Sequence, residues 1–185
     1  MNIFGELNTL DEINKIAIWG PPSSGKTYMA KKLAKKFNIN NVIHSDDFLT
    51  WDKNKKWIFI PKQEFLKRVN PLLDKPKWIV EGNLGEHISR EQVLKEADLV
   101  VILNPSYIKL FFRLLTRSIT RNSRIRLGHH TVENAIVAED FTFNNIIEDS
   151  IDSIKIIQSF KKSYIHYLIE TAKKSSNLSK VRIIS

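Results

Sequence analysis

Residues 20–27 read Gly-Pro-Pro-Ser-Ser-Gly-Lys-Thr, a fit to G-x-x-x-x-G-K-[ST], and no other run limits the possible folds of this chain so strongly. A loop of this kind turns successive backbone N–H groups inward around an anion. Gly20 and Gly25 permit turns and a close approach that a Cβ would obstruct. Lys26 reaches the β- and γ-phosphates of a nucleotide, and the Thr27 hydroxyl is suited to Mg²⁺. The helix that follows directs its N-terminal partial positive charge at the same phosphates. Such a loop works only between a strand and a helix, and both are predicted in place. Lys15-Ile16-Ala17-Ile18-Trp19 is a short, mostly apolar run suited to a buried parallel strand. From Thr27 to Phe37, Met29, Leu33 and Phe37 recur at i, i+4 and i+8 with Ala30 and Ala34 beside them, and four lysines take the other face.

The rest of the chain continues the alternation of strand and helix. A short amphipathic helix is predicted within residues 1–14, and Asn41-Val42-Ile43-His44 reads as a second strand. Residues 50–61 are polar and aromatic, with Trp51, Trp57 and Phe59, and lie where a substrate-binding segment would sit. Pro61 opens a helix to about Leu73 with Phe65, Leu66, Val69 and Leu72 inward. Lys77 to Glu81 reads as a third strand, Ser89 to Glu96 as a short helix, and Asp98 to Leu103 as a strand apolar enough for the middle of a sheet. Pro105 starts a helix that ends at Gly128-His129-His130. Isoleucines then recur at helical spacing from Asn144 to about Lys173, as one helix or two, and Val181 to Ile184 reads as a last strand. The pattern implies an α/β fold with a doubly wound parallel sheet, whose ligands bind at the carboxyl ends of the strands.

Composition sets outer limits. A chain of 185 residues with 42% hydrophobic content has the length of one ordinary domain with its own core. No apolar run reaches the roughly 18–20 residues needed to span a bilayer, and residues 1–6 lack the pattern of a secretion signal. The absence of cysteine excludes disulfides, thiolate metal sites and cysteine catalysis. A cytoplasmic protein without a membrane partner, monomeric or homodimeric, is the expectation. The net charge is +9, and its distribution is informative: five of the eight arginines (Arg113, Arg117, Arg121, Arg124, Arg126) fall within residues 113–126. Clustered arginine suits phosphate, which the planar guanidinium binds in a bidentate manner.

Phosphoryl transfer needs a phosphate cradle, a held Mg²⁺, an oriented nucleophile and positive charge over the moving group. Gly20, Pro21, Pro22, Ser23, Ser24, Gly25, Lys26, Thr27 and Tyr28 supply the cradle. Asp46 and Asp47, at the end of the second strand, are the candidates for receiving the acceptor's hydroxyl proton. Asp46 is favoured as the nearer to the strand, since neighbouring side chains in an extended chain diverge; capping of a turn or helix is the competing role. Glu81 ends a strand and suits Mg²⁺ alongside Thr27, or else a nearby lysine. Arg113, Arg117 and Arg121 fall at i, i+4 and i+8 on one helix face, so a lid over residues 117–131 can bring guanidiniums to the nucleotide phosphates. The catalytic set is then Lys26, Asp46, Asp47, Arg117 and Arg121, with Arg113 and Arg117 also binding nucleotide. His44 reads as a packed strand residue, and His129-His130 lack the partners of a metal site.

The loop, Asp46-Asp47-Phe48 followed by Trp51, the Trp-Ile-Val-Glu-Gly-Asn segment (78–83), Ala97-Asp98-Leu99-Val100 and the arginine helix together resemble the nucleoside-monophosphate-kinase-like group of P-loop kinases. That group includes adenylate, shikimate and uridine kinases, and the chain looks most like its DNA topology modulation protein family. The resemblance runs from about Lys15 to Arg126. It implies a single three-layer P-loop domain over 1–185, a five-stranded parallel sheet of order 2-3-1-4-5, a mobile arginine-bearing lid and Mg-ATP as donor. It also implies that Asp46 or Asp47 meets the acceptor, a small hydroxylated or phosphorylated molecule such as a nucleoside or nucleotide. Glu81 departs from the Asp often found there, and the chain beyond Arg126 does not match. Two other readings use the basic charge: an ATP-regulated nucleic-acid-binding protein, and a polynucleotide 5′-hydroxyl kinase. A GTPase is disfavoured by the lack of Asn-Lys-x-Asp, and a motor ATPase by the lack of an apolar run ending in Asp-Glu.

Overall fold

The computed structural model describes residues 12–51, 53, 57–82, 84, 87, 88, 90–114, 116, 155, 158, 166, 167, 170 and 181–184. In chain order these form β1 (Lys15–Trp19), α1 (Lys26–Phe37), β2 (Val42–His44), a 3₁₀ turn (Ser45–Phe48), β3 (Leu49–Trp51) and β4 (Trp57–Phe59). There follow α2 (Lys62–Leu73), β5 (Trp78–Glu81), α3 (Arg90–Glu96) and β6 (Leu99–Leu103). A fourth helix, α4, covers 107–114 and 116, residues 155, 158, 166, 167 and 170 are helical, and β7 (Val181–Ile184) closes the order. The helix expected within 1–14 falls almost wholly outside the described residues.

Five strands form one parallel sheet in the order β2-β5-β1-β6-β7. Counted along the chain within that sheet, the order is 2-3-1-4-5, as the resemblance implied. The segment 49–59 holds a finding the sequence did not announce: β3 and β4 pair as a separate antiparallel hairpin.

Register and alternation explain the core. Ile16 and Ile18 of β1, Ile79 of β5, and Leu99, Val101 and Leu103 of β6 share one face, where α1 packs Ala30 and Leu33 against them. Each such aliphatic side chain, fully buried, contributes about 1.5–3 kcal/mol relative to exposure. The residues between them (Ala17, Trp19, Trp78, Val80, Val100 and Ile102) take the other face and are buried too. Burial on both faces is what a parallel sheet requires, and it accounts for the near-continuous apolar runs. Helix α1 stops at Asn38, whose φ of 51° and ψ of 53° lie in the left-handed region that Asn tolerates. At the end of α2, Asn41 Nδ2 donates to the carbonyl of Leu72 at 2.7 Å, satisfying one of the helix's terminal acceptors.

One carboxylate fastens the amino ends of the two central strands. Asp98, just ahead of β6, accepts the backbone N–H groups of Asn14 and Lys15 on Oδ2, each at 2.9 Å. Its own N–H donates to the Lys15 carbonyl at 2.8 Å. These bonds extend the β1–β6 pairing beyond its last ladder partners.

The chain divides into two compact units. The first comprises residues 1–20, 25–104 and 167–185 and contains the sheet; the second comprises 21–24 and 105–166. Within the second, Leu110 and Leu114 of α4 are buried together, and the Leu110 N–H donates to the Ser106 carbonyl at 3.1 Å.

Asp98→Ala removes the acceptor of two backbone donors and is expected to lower stability by about 1–3 kcal/mol, the cost of stranding groups bonded to a charged partner. Urea denaturation followed by circular dichroism checks this; an unchanged midpoint would show that water replaces the carboxylate without loss.

Candidate functional site

Of the loop motif, Gly20 and residues 25–27 belong to the first unit and residues 21–24 to the second. In the first unit, Lys26 Nζ donates to the Gly20 carbonyl at 3.1 Å, joining the two ends of the loop. Gly25 caps α1 with φ 97° and ψ 23°, a conformation that costs a residue with a Cβ. The cap supplies no side-chain bond, and the first turn of α1 holds no acidic residue. The positive end of the helix is therefore offset by no carboxylate of its own. Tyr28 turns its ring to solvent, 62% exposed, with Lys32 Nζ 4.7 Å from the ring centroid.

In the second unit the four loop residues make a turn, closed by Ser24 N–H donating to the Pro21 carbonyl at 3.2 Å. Ser23 has a φ of 58°. The Ser23 and Ser24 hydroxyl oxygens are buried without a hydrogen-bond partner. Pro21 is buried and Pro22 exposed. Arg113, from α4, donates through Nη1 to the Ser24 carbonyl at 2.7 Å. Arginine has five N–H donors, and one of them grips the loop backbone. Arg117, Arg121, the lid expected at 117–131 and the His129-His130 pair lie outside the described residues.

Glu81 is the best-connected candidate. Its position follows from the parity of the strands. Ile18 and Glu81 are register partners, as are His44 and Glu81, so all three share the face on which α1 lies. The first turn of α1 brings Thr27 to the same place. Thr27 Oγ1 lies 3.2 Å from Oε1 and 3.1 Å from Oε2 of Glu81, and His44 Nδ1 lies 2.5 Å from Oε2. Glu81 is only 8% exposed, yet three polar contacts satisfy its carboxylate. Its partners are thus a hydroxyl and an imidazole, where the sequence offered a cation or a lysine. His44 differs from expectation as well. Its side chain is 31% exposed, and it closes the end of β2 against Glu81, outside the core. Periodicity assigned it to a strand interior; register gave it a carboxylate neighbour.

Asp46 and Asp47 are both exposed, in the 3₁₀ turn that follows β2. The alternation that favoured Asp46 belongs to extended chain, whereas a 3₁₀ turn rotates successive side chains by about 120°. Asp46 Oδ1 accepts the Ser45 hydroxyl at 3.3 Å, and its carbonyl accepts the Leu49 N–H. Ser45 itself is buried, directly over Gly82. Gly82 has a φ of 94°, donates its N–H to the Ile18 carbonyl at 3.0 Å, and leaves no room for a Cβ, which would stand 2.1 Å from Ser45 Oγ.

The donor set fits Mg²⁺. Thr27 and Glu81 offer a hydroxyl and a carboxylate about one another, the oxygen donors that a hard cation takes. No group of three or more His, Cys, Asp or Glu residues suited to a metal occurs among the described residues. Mg²⁺ suits such a sparse set, because it keeps several waters and shares the phosphates of its nucleotide.

No protein-family model matches the chain, and no curated protein matches it. Among solved structures the chain is similar to shikimate kinase from Acinetobacter baumannii in complex with shikimate, at 16% identity, with 83% of each chain covered and a TM-score of 0.41. No helix among the described residues is long and apolar enough to cross a membrane.

Gly82→Ala is expected to cost about 1–3 kcal/mol, since it puts a side chain at a left-handed φ and against Ser45. Chemical denaturation measures the loss. Stability equal to that of the unaltered chain would show that the strand end has a second, unstrained backbone path.

Proposed function

We propose that the chain is an ATP-dependent phosphotransferase, a P-loop kinase that moves the γ-phosphoryl group of Mg-ATP to a small hydroxylated or phosphorylated acceptor such as a nucleoside or nucleotide. The observation that carries this reading is the meeting of Thr27 with Glu81 at 3.1–3.2 Å. It joins the helix behind a phosphate loop to the carboxylate ending the adjacent strand, which a phosphoryl-transfer site uses and a mere anion-binding turn does not need.

The roles follow from the chemistry of each group. The N–H groups of Gly20 and of residues 23–27, with the α1 terminus, hold the β- and γ-phosphates, and Lys26 exchanges its bond to the Gly20 carbonyl for phosphate oxygens. Bound Mg²⁺ would neutralise phosphate charge; Thr27 and Glu81 are the residues to hold it. Asp46 or Asp47 accepts the proton of the acceptor hydroxyl as its oxygen bonds to the γ-phosphorus. The bond from that phosphorus to the β–γ bridging oxygen breaks, and ADP leaves. Arg117 and Arg121, on a lid at 117–131, would cover the negative charge that the moving group carries. Arg113 orders the loop through Ser24. The chain is read as one catalytic domain, acting in the cytoplasm as a monomer or homodimer.

Turnover of Mg-ATP against nucleosides, nucleoside monophosphates, sugar and acid metabolites, and 5′-hydroxyl oligonucleotides tests the reading. Stimulation by one small acceptor is expected; labelling of oligonucleotides alone would move the acceptor class to nucleic acid, and no stimulation by any of them would sink the kinase. Lys26→Ala is expected to lower kcat/KM by about 10²–10³ while the melting temperature holds, the loss typical of removing one transition-state charge partner. Of Asp46→Asn and Asp47→Asn, one is expected to reduce kcat by about 10²–10⁴ with ATP affinity unchanged. If neither does, the acceptor's proton goes elsewhere.

A further inference from the structure

The contact between His44 and Glu81 has no part in the roles above, and the strand register sets the two residues side by side. His44 and Glu81 end neighbouring parallel strands as register partners, so their side chains leave the sheet together, on the α1 face. Nδ1 of His44 lies 2.5 Å from Oε2 of Glu81. A carboxylate only accepts, so Nδ1 carries the proton and donates. The Thr27 hydroxyl touches both oxygens of the same carboxylate from α1.

Glutamate has three rotatable side-chain bonds, and a single hydroxyl partner does not select one orientation. Thr27 is also the weaker anchor for this purpose, because its hydroxyl must serve the cation as well. The imidazole is different. It leaves a backbone position held by the β2–β5 ladder, and the next residue, Ser45, is buried against Gly82 beside Glu81. His44 therefore approaches Glu81 from a backbone held by strand pairing on one side and by the packed Ser45 on the other.

We infer that His44 is a positioning residue: its Nδ1–H holds the Glu81 carboxylate in the orientation in which it and Thr27 together bind the nucleotide's divalent cation. The inference rests on the kinase reading given above. His44 touches neither phosphate nor cation; it acts through Glu81, as a partner that orients a ligating group. Its effect should thus appear in the gain that Mg²⁺ gives to nucleotide binding and not in metal-free binding.

The test is calorimetric titration of the full chain with the β,γ-imido analogue of ATP, once with Mg²⁺ and once with EDTA. The readout is the ratio of the two dissociation constants. His44→Ala is expected to reduce the Mg²⁺-dependent gain about tenfold, the lower end for loss of a partner to a ligating group, and to leave affinity in EDTA unchanged. His44→Asn puts an amide N–H where Nδ1 stood and should keep most of the gain. His44→Gln carries its amide one bond farther and should behave as the alanine variant does. If His44→Ala fails to fold, the Asn and Gln pair decides the matter.

An undiminished gain in His44→Ala, or equal losses in the Asn and Gln variants, overturns the positioning role while the kinase reading stands. An equal fall in EDTA also overturns it, since that marks general distortion of the loop. If the unaltered chain binds nucleotide with no gain from Mg²⁺, the kinase reading fails first and this inference with it.

Discussion

A buried carboxylate must be satisfied or it destabilises the fold, and Glu81 is satisfied by groups from two other elements at once. Its oxygens take the Thr27 hydroxyl from α1 and His44 Nδ1 from β2, while its own strand, β5, lies between β2 and β1. Three elements therefore meet at one side chain at the carboxyl edge of the sheet. The sheet order makes this possible. Only because β5 is inserted between β1 and β2 does the end of β5 adjoin both the strand that leads into the 20–27 loop and the strand that leads into Asp46 and Asp47.

Much of the fold was legible in the sequence because its signals are local. The loop motif fixed β1 and α1; Pro61 and the spacing of Phe65 and Val69 marked α2; the runs 78–81 and 99–103 were apolar enough to be strands buried on both faces. The hairpin was not legible. β3 and β4 have three residues each, too few to display a period of two, and their aromatics read equally as a binding segment. Tertiary pairing, with Leu49 opposite Phe59 and Thr50 opposite Ile58, makes them strands.

The candidate site was legible in its members more than in its connections. Thr27 and Glu81 were each recognisable from their place in a motif or at a strand end. That they meet depends on which face Glu81 takes: it shares the parity of Ile79, which the fold sets on the α1 face, and a strand apolar at both parities does not say which face that is. His44 needed more, because its neighbour depends on register between β2 and β5, and no local signal sets the register of parallel strands joined by a long crossover. Arg113 illustrates a different gap. Helical spacing aligned it with Arg117 and Arg121, but whether a guanidinium meets an anion or a backbone carbonyl is a matter of distance, and here Nη1 is 2.7 Å from the Ser24 carbonyl.

Two carboxylates bind the sheet at opposite ends, and their partners differ in kind. Asp98 takes backbone N–H groups of Asn14 and Lys15, and these cannot leave without pulling β1 from β6. Such a carboxylate is committed to the fold. Glu81 takes side-chain donors, the Thr27 hydroxyl and the His44 imidazole, and neither belongs to the backbone pairing of the sheet. The Thr27 hydroxyl can turn about its own bond while the strands stay paired and His44 stays on the carboxylate, and Glu81 stands at the edge where a loop continues the chain. A carboxylate held by side chains can change a partner without opening the sheet, whereas one held by the backbone cannot. By that criterion the carboxyl edge around Glu81, and not the equally well-bonded amino edge around Asp98, is the candidate site.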